Sequence, residues 1–223
     1  METEVKLGFK DKESLYKVAL SDAFRKLCPD NTGIREPVLL ENTYLDTDDL
    51  IITKRGGAIR IRHYKGSSED SYEFTVKYGG GTSQGLHRRF EWNVKSVDGK
   101  FSIDSFRQAA TNGNDPYDLL NEVFKSITDD DLKVACFNSF NRTIYELRYK
   151  TSTIEACFDS GLIKNSDGSR TDEICELELE LIKGDISDLN EVSVLITEGF
   201  DCVPFDKTKY MRTLNMALGD RKR

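Results

Sequence analysis

A run of alternating charge constrains the fold of this chain more than any other feature. The segment ELELELI at 176–182 places a glutamate at every second position and a leucine between. Because the side chains of a β-strand point alternately to opposite faces, one face is acidic and the other apolar. Carboxylates that neighbour one another on a face repel unless cations lie close by. The segment therefore predicts a strand with an apolar face packed on protein and an acidic face that meets basic side chains.

The same period of two recurs along the chain, with acidic residues on some predicted strands and basic residues on others. The residues that share polar faces are Glu2, Glu4 and Lys6; Arg60 and Arg62; Thr75 and Lys77; Arg89, Glu91 and Asn93; and Glu155 and Asp159. A solvated face of an antiparallel sheet explains any one of these strands. Across six strands, the separation of acids from bases favours faces that point toward one another. If helices cover the apolar faces, the sheet closes into an antiparallel β-barrel with a charged lumen, an α+β fold.

Local signals predict the remaining elements of a single domain over residues 1–223. We expect a first strand over 1–9, a helix capped by Ser14 and running to about Leu27, and a strand over Val38–Asp46. The segment IITKRGGAIRIRHY (51–64) is interpreted as a hairpin turning at Gly56 and Gly57. Further predicted elements are a strand pair at 72–78 and 86–94 joined by a GGGTSQG loop; helical pieces over 102–127 broken at 112–116; strands VACFNSF, RTIYELRY, STIEACFD and EICELELELI; and helices over 186–197 and from about 207 to before 219.

Composition excludes several classes of protein. The formal net charge of −7 argues against a non-specific nucleic-acid binder, which normally carries a basic excess. Five cysteines and no CxxC pair argue against a zinc site or a disulfide framework, so we expect reduced thiols and a cytoplasmic protein. Neither a signal peptide nor a membrane helix is expected, because charge begins at Glu2 and no apolar run is long enough.

A lumen lined with both signs of charge has two interpretations. Arg–Glu ion pairs could satisfy the buried charges and serve structure alone. Alternatively, Arg and Lys could bind phosphate oxygens of a polyanion, while clustered carboxylates bind Mg²⁺ or Mn²⁺, hard cations that prefer oxygen ligands.

Short blocks in a fixed order resemble a known family. The segment ETEVK at 2–6 resembles the ExExK signature of the CYTH superfamily, also called the triphosphate tunnel metalloenzymes. The resemblance continues through TYLDTDDL (43–50), AIRIR (58–62), TVK (75–77), LHRRFEW (86–92), EACFDSG (155–161), ELELELIKGD (176–185) and TKYMR (208–212). It implies an eight-stranded antiparallel tunnel with helices packed outside, and metal-dependent chemistry on triphosphates. LHRRFEW and the chain length are most similar to the bacterial inorganic triphosphatase branch.

The resemblance also implies roles for individual residues. The implied metal ligands are Glu2, Glu4, Asp159, Glu176, Glu178 and Glu180. The implied substrate-binding residues are Lys6, Arg60, Arg62, Lys77, Arg89, Arg142, Lys209 and Arg212. The implied catalytic residues are Lys6, Arg60, Arg62, Lys77, Arg89 and Glu91. Thr208 stands where the family commonly has serine, and Lys209 and Arg212 could close one tunnel mouth. His63 and His87 are interpreted as structural, and GGGTSQG is not a P-loop.

The function implied is hydrolysis of inorganic triphosphate to pyrophosphate and phosphate, with Mg²⁺ or Mn²⁺ as cofactor. A class IV adenylyl cyclase, a thiamine or nucleoside triphosphatase, and a non-catalytic polyphosphate-binding module are the alternatives. The expected partner is a small triphosphate, with neither nucleic acid nor membrane involved. The sequence leaves the oligomeric state open.

Overall fold

The computed structural model describes residues 1–29, 36–65, 71–110, 116–165 and 168–221, with side chains described to 219. Within these ranges the strands are β1 Glu2–Phe9, β2 Val38–Asp46, β3 Gly57–Lys65, β4 Ser71–Ser83, β5 Leu86–Ser96, β6 Lys133–Tyr149, β7 Ser152–Lys164, β8 Thr171–Lys183 and β9 Cys202–Pro204. The helices are α1 Lys12–Leu20, α2 Asp22–Arg25, α3 Ile51–Lys54, α4 Ile103–Ala110, α5 Tyr117–Val123, α6 Ile186–Gly199 and α7 Lys209–Arg221. None of these helices is long and apolar enough to span a membrane.

The strands form one antiparallel sheet that closes on itself. Its order is β5-β4-β3-β2-β6-β7-β8-β1, and β1 pairs with β5 from Glu2 opposite Arg89 to Val5 opposite Leu86. The short strand β9 pairs with the part of β1 that β5 leaves uncovered, Leu7–Phe9. This closure confirms the predicted eight-stranded antiparallel barrel of an α+β protein.

Two apolar clusters attach helices to the outside of the barrel. The first joins α1, α2 and α6 to the outward faces of β1, β7 and β8, with Leu15, Val192 and Leu177 fully buried. The second joins α3, α4 and α5 to β3, β4 and β5, with Phe106 and Trp92 at its centre. Burying each such side chain stabilises the fold by roughly 1.5–3 kcal/mol. The alternate residues of the same strands therefore point into the lumen.

The last helix, α7, packs instead against inward-facing side chains at one end of the barrel. The Tyr210 ring lies 4.8 Å from that of Tyr44 on β2. The Asn138 amide on β6 donates to the Thr213 hydroxyl at 2.8 Å. Met216 packs on a buried cluster of inward-facing residues, namely Leu40, Phe140, Ile163 and Ile174. Because these side chains are buried, α7 closes this end, here called the closed end.

The predicted hairpin at Gly56 and Gly57 is wrong, because residues 51–54 form helix α3. The buried Asp46 carboxylate, at the end of β2, accepts hydrogen bonds from the backbone amides of Ile52 and Thr53 at 2.9 and 3.0 Å. The Thr53 hydroxyl also donates to Asp46 at 2.6 Å. These bonds satisfy amides at the start of a short helix that would otherwise have no partner. A strand-like pattern in the sequence does not reveal this cap, in which a side chain accepts from amides six and seven residues along the chain.

Other predicted boundaries also differ from the structure. Asp11 rather than Ser14 caps the first helix, accepting from the Ser14 amide at 2.7 Å, and a second cap at Ser21 starts α2. The predicted loop GGGTSQG belongs largely to β4, which reaches Ser83 before a tight turn at residues 84–85. The two strands predicted over 134–149 are one continuous strand, β6, and β9 was not predicted. The predicted helix break at 112–116 falls mostly on residues outside the described ranges.

Candidate active site

A cavity of about 270 Å³ occupies the barrel lumen. All of the site residues predicted from the sequence line it, except Asp159, Glu176 and Arg212. Asn93 lines the cavity and is exposed, so the cavity opens to solvent beside Asn93. The charged faces of strands that are distant in sequence therefore meet around one space.

Near the closed end, carboxylates surround the ammonium of Lys209. Its Nζ lies 2.8 Å from Asp159, 2.6 Å from Glu176 and 2.8 Å from Glu178. Burial lowers the pKa of Lys209, but the three carboxylates raise it by more, to well above its ordinary value. Arg142 binds both Asp159 and Glu178, at 2.6 and 2.5 Å. These acids are therefore neutralised by side chains of the protein.

Arg212, on the next turn of α7, extends this arrangement away from the cavity. Its guanidinium contacts Glu176 and lies 2.7 Å from Asp172. The structure thus places the predicted ligands Asp159 and Glu176 in ion pairs at the closed end. Their role in metal binding stays a prediction.

On the opposite wall, Lys77 bridges two carboxylates. Its ammonium lies 2.8 Å from Glu2 and 2.6 Å from Glu91. Burial raises the pKa of Glu2 to about 8. Burial also raises that of Glu91, but Lys77, a hydrogen bond with Glu2 and Arg60 lower it by more, so it lies below its ordinary value. The protein therefore holds one ammonium between two acids that face the cavity.

Beside this bridge, the acids of β1 pair with neighbouring cations. Arg89 donates to Glu4 at 2.8 Å. Lys6, which is almost fully buried, lies 2.9 Å from Glu178 and 3.9 Å from Glu4. Burial and Glu178 raise the pKa of Glu4, but Lys6, Lys77 and Arg89 together hold it below its ordinary value. Glu4 is therefore ionised at neutral pH.

A row of three carboxylates crosses the adjacent strands β1, β8 and β7. Glu180 is opposite Glu4 in one strand pair and opposite Glu155 in the other. Directly opposite residues in antiparallel strands have Cβ atoms about 4.5–5.5 Å apart, and like charges at this spacing destabilise the sheet. In the described ranges, no Lys or Arg lies within ion-pair distance of Glu180 or Glu155. This row is the least neutralised acidic part of the cavity.

The ionisation of Glu180 is expected to destabilise the metal-free protein as the pH rises. Burial, together with the charges of Glu91, Glu4 and Glu155, raises the pKa of Glu180 to about 7, although Lys77 acts to lower it. The pKa of Glu180 is higher in the folded protein than its unfolded value of 4.5, so the folded protein binds this proton more tightly than the unfolded chain does. The resulting contribution to the stability of the fold is fully present below pH 4.5 and is lost as the pH rises to about 7. Glu180→Gln should therefore raise the free energy of unfolding at pH 8 by roughly 1–3 kcal/mol.

Urea unfolding in the presence of EDTA checks this prediction. The gain for Glu180→Gln should shrink toward zero at pH 4.5. The exposed Glu13→Gln is the matched control, and it should change stability little at either pH. An equal effect of Glu180→Gln at both pH values would contradict the prediction.

Arg62 is a buried cation that lacks a negatively charged partner among the described residues. Its side chain is 7% exposed, and it contacts no carboxylate among the described residues. Its Nε donates to the Asn42 side chain at 2.9 Å. Burial, Arg60 and Arg142 all lower its pKa. Within the described ranges, the buried Nε atoms of Arg60 and Arg89 also have no hydrogen-bond acceptor, so this wall has donors available for an anion.

The sequence blocks and this lumen agree with a protein-family comparison. The model of the CYTH domain matches residues 2–198. The chain belongs to the CYTH family. Inorganic triphosphatase of Haemophilus influenzae is 27% identical to it over 180 residues, which is 81% of this chain and 44% of that protein. The chain thus spans less than half the length of this curated relative.

Solved structures share the CYTH barrel at low sequence identity. A protein of Hippeastrum, described as a candidate adenylyl cyclase with a dominant triphosphatase activity, matches with a TM-score of 0.62, 16% identity and 97% of both chains covered. A protein of Pyrococcus horikoshii matches with a TM-score of 0.54 and 16% identity, with both chains fully covered. At these identities the likeness shows the fold alone.

The carboxylates of the acidic row are the donors in this CYTH barrel whose fit to a metal ion can be assessed. Among the residues that the structure describes, no group of three or more His, Cys, Asp or Glu side chains is arranged to hold a metal ion. The position that three acids do surround holds the Lys209 ammonium. Glu4, Glu155 and Glu180 nevertheless supply carboxylate oxygens from adjacent strands, the donor type that Mg²⁺ and Mn²⁺ prefer. The donor chemistry of the row therefore fits a hard divalent cation.

Several residues at the CYTH site have a position or contact that the sequence alone did not predict. Asn42 and Asn138 were missed, although both lie on inward faces of strands whose alternation was visible. Glu155 was placed on an inward face, and the structure adds its position opposite Glu180. His87, predicted to be structural, is buried beside the Thr82 hydroxyl and the Phe205 carbonyl at 3.1 Å each, and burial lowers its pKa.

Proposed function

We propose that this protein is a metal-dependent triphosphatase that hydrolyses inorganic triphosphate to pyrophosphate and orthophosphate inside the barrel. The observation that supports the proposal is that one cavity contains both a cation and a carboxylate that have no ion-pair partner among the described residues. Among the residues that the structure describes, the buried Arg62 has no carboxylate within ion-pair distance, and the half-buried Glu180 has no Lys or Arg within that distance. Buried unpaired charges are costly, so both walls are stabilised when a polyanion and a divalent cation bind together.

The basic wall would bind the phosphate chain. Arg62 has its Nε engaged by Asn42, which leaves the terminal nitrogens of its guanidinium for phosphate oxygens. The unsatisfied Nε atoms of Arg60 and Arg89 provide further donors. Lys77 is held at the cavity by Glu2 and Glu91 and would contact the phosphate nearest to them. These fixed cations would stabilise negative charge that develops on the leaving group.

The acidic row would hold the metal ion. We assign Glu4, Glu155 and Glu180 to this role, with Glu2 beside them on the same face of β1. When bound, a Mg²⁺ or Mn²⁺ ion supplies charge neutralisation for the phosphoryl oxygens. A carboxylate of this wall would orient the water that attacks in line with the leaving pyrophosphate. Asp159 and Glu176 would keep Lys209 and Arg142 in place.

The relatives support hydrolysis of a triphosphate. One is named as an inorganic triphosphatase, and another is described as having a dominant triphosphatase activity. Glu155 and Glu180, which have no Lys or Arg within ion-pair distance among the described residues, argue against a purely binding module, because a module that only binds polyphosphate needs cations and not such acids.

Turnover of several triphosphates tests the proposal. Purified protein is incubated with inorganic triphosphate, thiamine triphosphate or ATP, each with Mg²⁺ or Mn²⁺, and phosphate, pyrophosphate and cyclic AMP are measured. We expect the highest kcat/KM for inorganic triphosphate. Preferred turnover of thiamine triphosphate or ATP would place the chain elsewhere in its family. Formation of cyclic AMP would identify a cyclase.

A further inference from the structure

A chain of buried hydrogen bonds connects the closing helix α7 to Arg62. The Thr213 hydroxyl accepts from the Asn138 side chain at 2.8 Å. The Asn138 carbonyl oxygen accepts from the Asn42 side chain at 3.0 Å, and the Asn42 carbonyl oxygen accepts from Arg62 Nε at 2.9 Å. Thr213 also donates to the Lys209 carbonyl at 2.7 Å, which fixes its hydroxyl direction. We call these three residues, Thr213, Asn138 and Asn42, the relay.

Each side chain of the relay has few alternative hydrogen-bond partners. Asn42 is fully buried, and Asn138 and Thr213 are 2% exposed. A buried amide that loses its partner cannot recover the bond from water, so each residue orients the next. A neutral relay holds Arg62 without neutralising it, whereas an Asp or Glu in place of Asn42 would form an ion pair. The relay thus preserves a positioned, uncompensated cation.

The relay also places this cation on the closed side of the cavity. Along β8, Glu176 contacts α7, Glu178 lies next, and the unpaired Glu180 lies farthest from the helix. Arg142, which flanks Arg62 electrostatically, contacts Glu178 beside the Lys209 ammonium. Counting the described residues alone, the cation that lacks an ion-pair partner, Arg62, therefore lies deep, and the carboxylates that lack one, Glu155 and Glu180, lie toward the exposed mouth at Asn93.

We infer that the closed half of the cavity is a pyrophosphate subsite centred on Arg62, and that Thr213, Asn138 and Asn42 are its positioning residues. The inference rests on the proposed triphosphatase function and specifies the direction in which the triphosphate lies in the barrel. A triphosphate enters through the mouth, and two of its phosphates occupy the deep basic half. The third phosphate lies at the mouth beside the acidic row.

Hydrolysis then takes place at the mouth. The oxygen of a water molecule forms a bond to the phosphorus nearest the mouth, and the bond from that phosphorus to the bridging oxygen breaks. The bridging oxygen keeps the electron pair and leaves as part of pyrophosphate, while a proton of the water passes to solvent. Because α7 closes the other end, orthophosphate leaves first and pyrophosphate leaves last.

Two variants of one relay residue test the inference. Thr213→Val removes the hydroxyl at nearly constant shape, and Thr213→Ser keeps it. Pyrophosphate is titrated calorimetrically into each full-length protein, and kcat and KM are measured with inorganic triphosphate. For Thr213→Val we expect the Kd of pyrophosphate and the KM to rise about tenfold, with kcat changed less than about threefold. Thr213→Ser should match the wild-type protein.

Product inhibition of the wild-type protein gives a second test that needs no variant. Pyrophosphate, as the last product released, should compete with triphosphate, and orthophosphate should inhibit non-competitively. Competitive inhibition by orthophosphate alone would overturn the inference, as would equal pyrophosphate affinity of the two Thr213 variants. Absence of turnover would refute the proposed function instead, and the binding measurements would still decide whether the subsite exists.

Discussion

Replacing Arg62 by methionine is expected to lower kcat/KM for inorganic triphosphate by roughly 100-fold or more, and to stabilise the empty protein. The loss of activity follows because a preorganised buried cation contributes about two to three powers of ten to such reactions. The gain in stability follows because Arg62 is buried and because Arg60 and Arg142 repel it, while no described carboxylate lies within ion-pair distance of it. Removing a buried charge that has no counter-ion should raise the free energy of unfolding by roughly 1–3 kcal/mol, less the cost of leaving the buried Asn42 oxygen without its Arg62 donor.

A loss of activity together with a gain in stability distinguishes the expected effect of Arg62→Met from misfolding, which would lower both. Steady-state kinetics and urea unfolding are measured on the same preparations. The control is Lys17→Met, since the Lys17 side chain is 62% exposed and pairs with Glu13 on helix α1, outside the barrel. The control should change both quantities little. A destabilised Arg62→Met with normal activity would show that Arg62 serves structure alone.

Replacing Glu4 by glutamine is expected to reduce metal-dependent turnover by roughly 100-fold or more. Glu4 lies in the acidic row, and an amide binds Mg²⁺ or Mn²⁺ more weakly than a carboxylate does. In contrast to Glu180→Gln, this change should also destabilise the metal-free protein. Its carboxylate accepts from Arg89 at 2.8 Å, and its loss leaves a buried cation less neutralised.

Titration with Mn²⁺ separates metal binding from stability. Glu4→Gln should weaken Mn²⁺ binding about tenfold or more, as measured by calorimetry on the folded protein at a temperature below its Tm. Glu13→Gln, on the exposed surface of α1, is the control and should bind Mn²⁺ as the wild-type protein does. Unchanged Mn²⁺ affinity in Glu4→Gln would remove Glu4 from the metal site.

The period of two predicted the charged lumen well, because the direction of a side chain along a strand is a local property. A few residues around Glu4, Arg62 and Glu180 are enough to show the alternation of charged and apolar side chains. The barrel closes with the charged faces of these strands inward. The apolar faces predicted to need helices carry them. The resemblance of the ordered blocks to CYTH proteins was confirmed by the family comparison.

Features that depend on contacts between separate segments of the chain were not predictable in the same way. The opposition of Glu155 to Glu180 is set by how β7 pairs with β8, which no single segment encodes. The relay from Thr213 to Arg62 joins residues 151 positions apart through three hydrogen bonds. Helix α3 forms because Asp46 caps it, and this contact overrides a local pattern that resembles a strand.

The most direct test of the account is the product balance with inorganic triphosphate, in the presence of Mg²⁺ or Mn²⁺ and in the presence of EDTA. The account predicts one pyrophosphate and one orthophosphate for each triphosphate consumed, and turnover that stops when EDTA removes the metal. No release of phosphate with either metal, or equal release in EDTA, would contradict it.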